Sequence, residues 1–218
     1  MPTEESREEL EARYRKAAQD YFRQHMDGTA PPETVSQATQ REITLASLDL
    51  VTTRRPDVHV FNELLVRFPS EGRQPAGEVV PDNMVVVHDG MLNVCDLYDT
   101  SSQPARPFWV LDYISDSYPR KSYHQNFDKY ERSLKVPYCL TFKTDVRELK
   151  LYCHNGLKYV SVQPNVLERY AIPKLELEVA LLDGWVRFWF RGELLSRPAE
   201  LQRDLKQARR DAETGEVR

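Results

Sequence analysis

Two carboxylates stand in this sequence where a carboxylate is expensive. Asp112 lies inside Phe108-Trp109-Val110-Leu111-Asp112-Tyr113-Ile114-Ser115. That run is apolar on both faces and reads as a buried strand over 107–115, bounded by Pro107 and by Ser115-Asp116-Ser117-Tyr118-Pro119. An ionised Asp in such a strand is strongly disfavoured unless it is paired, hydrogen-bonded or metal-bound. Asp82 is the best partner. It heads Pro81-Asp82-Asn83-Met84-Val85-Val86-Val87, a second strand opening with an acid. Two acids on neighbouring strands point to a divalent-metal site. Plainer readings stand beside this one. Asp82 after Pro81 is also the pattern of an Asp bonding backbone amides at a strand start, and Asp112 also suits a buried ion pair with an Arg.

Other chemistry has little support. His25, His59, His88, His124 and His154 show no metal-ligand spacing, and there is no Ser-His-Asp pattern, zinc pattern or Gly-rich phosphate loop. No organic cofactor is expected. Cys95, Cys139 and Cys153 form no CxxC pair, which favours reduced thiols and a cytoplasmic protein. Across 218 residues the net charge is −4, which argues against coating nucleic acid by bulk charge but leaves room for a local basic cleft. No apolar run approaches the ~18 residues of a membrane span, so no membrane contact is expected. The acidic start Met1-Pro2-Thr3-Glu4-Glu5-Ser6 shows no signal peptide.

The elements that must position the acids follow from periodicity. Residues 4–25 carry Leu10, Tyr14, Ala18 and Phe22 at four-residue spacing, a helix with a narrow apolar stripe. Asp27-Gly28-Thr29-Ala30-Pro31-Pro32 ends this charged arm, so 1–32 reads as helix and linker, 33–195 as the main domain, and 196–218 as a charged helical tail. The run Ile43–Val51 leaves helix and strand both open. Apolar residues at 58, 60, 61, 64, 65 and 68 predict a helix that carries Glu63. A strand follows over 78–87, then a loop over 89–106. Tyr123, Phe127, Tyr130 and Leu134 predict a helix over 122–134, with Arg120, Lys121, Lys129, Arg132 and Lys135 on a basic face. A solvated helix face is the ordinary account of such charges. Tyr138–Phe142 is a third buried strand, and Asn155-Gly156 marks a hairpin between 149–154 and 157–162. Another strand pair, 175–182 and 185–190, precedes a helix over 198–213. A helix between two buried strands favours parallel pairing. The fold class is mixed α/β: a mixed β-sheet flanked by helices, with extra C-terminal hairpins and charged terminal helices.

At this point a resemblance enters. The segments Val80–Val87, Phe108–Ser115 and Lys129–Tyr138 resemble the Uma-type restriction endonuclease family of bacteria, and Gly184–Gly192 resembles the C-terminal end of one of its branches. The resemblance covers roughly residues 56–195. It implies a restriction-endonuclease-like fold, similar to the PD-(D/E)XK nucleases, with metal-binding carboxylates on two adjacent strands. Asp82 matches the family's Pro-Asp strand. Asp112 matches its second acid, which is usually Glu. The family departs from this chain at the lysine. Ile114 stands where a nuclease of this fold carries Lys, Asn126 stands where this family carries it on the following helix, and Ser122 stands where the family often has an acid.

The resemblance implies Mg²⁺-dependent hydrolysis of DNA phosphodiesters, with Mn²⁺ as a substitute ion. Asp82 and Asp112 are the expected ligands, helped by a carbonyl at Tyr113 or Ile114 and by Glu63 through a water. Lys129 is the expected positioner of the attacking water, with Lys121 in reserve. Arg120, Lys121 and Arg132 are the expected phosphate contacts. A homodimer is expected, because two sites suit two strands. The missing lysines motivate a rival reading, a nuclease-fold binding module without catalysis. A weaker rival is a glycosidase using the two acids as acid and base.

Overall fold

The computed structural model describes residues 7–25, 35–69, 76–114 and 120–214. The linker expected at 27–32 lies outside them. The chain runs α1 (Arg7–His25), α2 (Val35–Arg54), β1 (Val58–Asn62), β2 (Leu65–Phe68), β3 (Gly77–Val79), β4 (Asn83–Val87), β5 (Leu97–Asp99) and β6 (Pro107–Ile114). Helix α3 (Arg120–Asp128) then runs into a π-helical turn, Lys129–Leu134. After it come β7 (Tyr138–Lys143), β8 (Glu148–His154), β9 (Tyr159–Ser161), β10 (Tyr170–Ile172), β11 (Leu177–Leu182), β12 (Trp185–Phe190), β13 (Glu193–Leu194) and α4 (Pro198–Thr214).

The described strands form three sheets. The central one has the order β1-β4-β6-β7-β8-β9. Its β6–β7 pair is parallel, as the intervening helix requires, and its other pairs are antiparallel. One face packs Trp109, Leu111, Leu140 and Phe142 against Val179, Phe188 and Phe190 of the antiparallel sheet β10-β11-β12-β13, and against Leu48 and Val51 of α2. The other face packs Met84, Val86, Val110 and Cys139 against Tyr130 and Leu134, and against Val66, Phe68 and Tyr98 around the small sheet β3-β2-β5. With both faces covered, β6 is the continuous apolar run that its sequence showed.

Three expectations are corrected. The helix expected over 58–68 is two strands in different sheets, β1 pairing with β4 and β2 with β3 and β5. Glu63 sits between them at φ 48°, a left-handed turn that resets the in–out alternation, so two short strands imitate helical spacing. The single strand expected over 78–87 breaks at Val80-Pro81-Asp82, where Pro81 has no N–H for a ladder and the chain passes from the small sheet to the central one. The expected loop 89–106 contains β5, which pairs in parallel with β2.

The unsettled run at 43–51 belongs to α2. Its apolar stripe is masked because Gln40, Thr44 and Ser47 are buried in it. Gln40 is fully buried and behaves like a peptide unit. Its Nε2 donates to Val186 O at 3.1 Å, and its Oε1 accepts from Val186 N at 2.8 Å. At the other end of the sequence, Arg187 is 2% exposed and donates to Glu200 at 2.8 Å, which ties α4 to the C-terminal sheet. Helix α1 docks through Tyr14 and Ala18 on Leu65 and Leu97.

Gln40→Ala strands a buried N–H and a buried C=O at Val186. We expect a loss of about 2–6 kcal/mol, since each such group costs roughly 1–3 kcal/mol, read as a lower urea midpoint at unchanged slope.

Candidate functional site

The ladder between β4 and β6 places the two acids. Asn83 pairs with Leu111, so one step further sets Asp82 opposite Asp112. Directly opposed residues bring their Cβ atoms to about 4.5–5.5 Å. Period-two alternation then sends Asp82 and Asp112 to the face covered by the π-helical turn, and Asn83 and Tyr113 to the face covered by α2.

On the first face the carboxylates stand in for the strand acceptors that the ladder has run out of. Asp82 N donates to Asp112 Oδ1 at 3.2 Å, and Tyr113 N donates to Asp82 Oδ2 at 2.6 Å. The Tyr130 hydroxyl reaches both Asp112 oxygens, at 3.2 and 3.1 Å. Asp112 is 8% exposed and Asp82 is half-buried. On the opposite face the Tyr113 hydroxyl donates to Thr44 Oγ1 of α2 at 2.7 Å, and Asn83 Nδ2 donates to Asn62 Oδ1 at 2.6 Å. Each acid is thus held by a strand whose next residue is anchored from behind.

Electrostatics set the pair apart. Burial, then the charge of Asp112, push the Asp82 carboxyl well above the ordinary Asp range, and the Tyr113 N–H only partly offsets this. Burial also pushes Asp112 up, against the pull of the Asp82 N–H and the Tyr130 hydroxyl. Burial raises Tyr130 as well, so its hydroxyl keeps its proton and remains a donor. Two facing carboxylates largely withdrawn from water form an all-oxygen donor set, which fits a hard divalent cation.

The remaining expected site residues separate from the pair to different degrees. Lys129 donates through Nζ to Glu78 O of β3 at 2.8 Å, and burial lowers its pKa. It ties the π-helical turn to the small sheet. Glu63 is in a turn rather than the expected helix, and its Oε1 is 2.7 Å from Arg41 Nη2 of α2. Its own N–H donates to Asp82 O at 3.2 Å, which keeps it beside the site. Among the described residues no three His, Cys, Asp or Glu side chains converge as a metal set, so Glu63 does not complete a triad with the two Asp. Arg132 is exposed and lies 4.0 Å from Asp128 and 3.9 Å from Glu131. Arg120 and Lys121 open α3, but their side chains, like that of Ser122, lie outside the described residues. The Ile114 carbonyl accepts from Thr144 N at 3.0 Å.

Two residues in contact with this group were not singled out by the sequence: Tyr130 on Asp112 and Arg41 on Glu63. Tyr130 was visible only as part of an apolar stripe, although the resemblance also places a Tyr there. Arg41 was hidden because its helix was not read.

No protein-family model matches the sequence, and no curated protein matches it. Among solved structures, the chain is similar to a candidate nuclease belonging to DUF820 from Anabaena variabilis ATCC 29413. The TM-score is 0.51 at 13% identity, over 69% of this chain and 80% of that one. At that identity the likeness establishes the fold. The chain has a mixed α/β fold shared with that protein: a mixed sheet, flanking helices and C-terminal antiparallel strands. No described helix is long and apolar enough to cross a membrane.

The raised carboxyls carry a pH signature. An acid whose folded pKa lies above its unfolded value favours the fold at low pH, and that contribution is lost as pH rises from about 4 through the folded pKa. In metal-free buffer Asp82→Asn removes part of this loss, and the amide still accepts from Tyr113 N. We expect its melting temperature to exceed that of wild type by a gap that widens from pH 5 to pH 8. The scale is about 2–4 °C for each kcal/mol in a chain of this size. Calorimetric scans across that range check it.

Proposed function

We propose that this protein is a metal-dependent endonuclease that hydrolyses DNA phosphodiester bonds at the Asp82–Asp112 pair. The observation that carries the reading is the cross-strand opposition of two pKa-raised carboxylates at the end of the β4–β6 ladder, with the Tyr130 hydroxyl on Asp112. The likeness to a candidate nuclease supports it at the level of fold.

Asp82 and Asp112 are the residues that would hold Mg²⁺ or Mn²⁺. When bound, the ion supplies Lewis acidity toward the phosphate and a nucleophilic water. The chain's own part is orientation. The Tyr113 N–H fixes Asp82, the Asp82 N–H and Tyr130 hydroxyl fix Asp112, and Thr44 fixes Tyr113 from behind. In the net reaction a water oxygen bonds to phosphorus and gives up a proton. The bond from phosphorus to the leaving oxygen breaks, and that oxygen takes up a proton. Duplex cutting by one site per strand makes a homodimer the simplest working unit. The commitment of Lys129 to Glu78 O favours the rival, a nuclease-fold module that binds without cutting.

The deciding experiment is nicking of supercoiled plasmid in Mg²⁺ or Mn²⁺ against EDTA, with wild type beside Asp112→Ala. We expect metal-dependent nicking that the variant loses. A folded wild type that binds plasmid but nicks in neither metal supports the binding module.

Tyr130→Phe keeps the ring packing and removes the donor from Asp112. We expect it to weaken Mn²⁺ binding, measured by titration calorimetry, by about 10–100-fold, the usual scale for groups that orient a ligand from behind. Unchanged affinity would show that the hydroxyl does not orient Asp112 for metal.

A further inference from the structure

A pair of carboxylates with a divalent ion still needs a fixed positive group facing the phosphate. The strand position two after Asp112 is Ile114, and Lys129 is occupied by Glu78 O. We propose that Arg41 of α2 is the phosphate-contacting cation of this site, and that Glu63 holds its guanidinium until substrate takes the place of the carboxylate. The inference rests on the nuclease reading above.

Three observations place Arg41 there. First, its helix is hydrogen-bonded on both sides of it, to the C-terminal sheet before and to the site strand after. One residue before, Gln40 clamps Val186. Three residues after, Thr44 accepts from the Tyr113 hydroxyl, on the residue whose N–H holds Asp82. Second, Arg41 Nη2 lies 2.7 Å from Glu63 Oε1, and the Glu63 main-chain N–H donates to the Asp82 main-chain O, so the ion pair is anchored next to the start of β4. The Arg41 charge acts on the Asp82 carboxyl in the direction opposite to those of Asp112 and Glu63. Third, the Arg41 and Glu63 side chains are 38% and 52% exposed. The ion pair is therefore partly open to solvent beside the residue whose main chain bonds that of Asp82. An exposed ion pair is weak. A phosphate can accept two parallel N–H bonds from a guanidinium, which makes it a strong competitor for an exposed carboxylate partner.

The test uses the full chain and a fluorescent DNA duplex of about 20 base pairs. Binding is read by anisotropy in Ca²⁺ over a range of salt concentrations, and cleavage is read in Mn²⁺. Arg41→Ala is expected to reduce the slope of log affinity against log salt by about one. It should also lower the cleavage rate by about 100-fold, with Mn²⁺ affinity kept. Arg41→Lys is expected to recover the salt slope and only part of the rate. Glu63→Gln, which leaves the guanidinium in place, is expected to tighten duplex binding several-fold. This variant decides the matter if Arg41→Ala fails to fold. Unchanged slope and rate in Arg41→Ala, with Asp112→Ala inactive, would overturn the role of Arg41 and leave the nuclease reading standing. Unchanged or weaker binding in Glu63→Gln would also overturn it. A folded wild type that neither binds nor cuts the duplex would remove the nuclease reading and this inference together.

Discussion

The structure turns on where a β-ladder stops. Backbone N–H groups at the end of a strand need acceptors, and between β4 and β6 those acceptors are side-chain carboxylates. Asp112 takes the Asp82 N–H and Asp82 takes the Tyr113 N–H. This exchange satisfies two main-chain donors that burial would otherwise penalise. It also fixes both acids at a separation set by the strand spacing. The electrostatic cost of opposing them is not removed, as the upward shift of both carboxyls shows. Such stored repulsion is common where a fold holds ligands ready for something absent from the chain itself.

Helix α2 keeps that arrangement rigid. Its buried face is unusually polar, with Gln40, Thr44 and Ser47 among Ile43, Leu48 and Val51. Each described polar contact has a geometric purpose. Gln40 completes the backbone bonding of Val186 in one sheet, and Thr44 receives the Tyr113 hydroxyl from the other. Gln40 and Thr44 are also joined to each other at 3.2 Å. A purely apolar helix would bury as much surface but would slide more freely between two sheets. Hydrogen bonds at both ends of one helical turn set its rotation, and with it the direction of the residue between them.

Legibility in the sequence followed the range of the forces involved. Strand β6 was readable because burial on both faces writes an unbroken apolar run. The β8–β9 hairpin was readable because Asn155-Gly156 satisfies a local backbone requirement, with Gly156 at φ 96°. Asp82 and Asp112 stood out because an acid in such a setting demands explanation. The β1–β2 pair was misread because its left-handed residue is Glu63 rather than Gly, so no turn signal interrupted the pattern. Helix α2 was ambiguous because its burial is hydrogen-bonded rather than apolar. The partner of Lys129 is a backbone carbonyl 51 residues away, a contact that only the tertiary fold defines.

The π-helical turn limits how this chain tolerates change in length. A π turn holds one residue more than the α-helix it interrupts. Tyr130 lies within that turn, and the turn closes on Lys135 in the left-handed region, with Val136 N donating back to Tyr130 O at 3.0 Å. Deleting any single residue between Asp128 and Lys135 would restore ordinary helical winding. Each residue removed rotates what lies beyond it by about 100°, so either the Tyr130 hydroxyl would leave Asp112 or β7 would begin out of register. The segment therefore accepts substitution far more readily than a change of length.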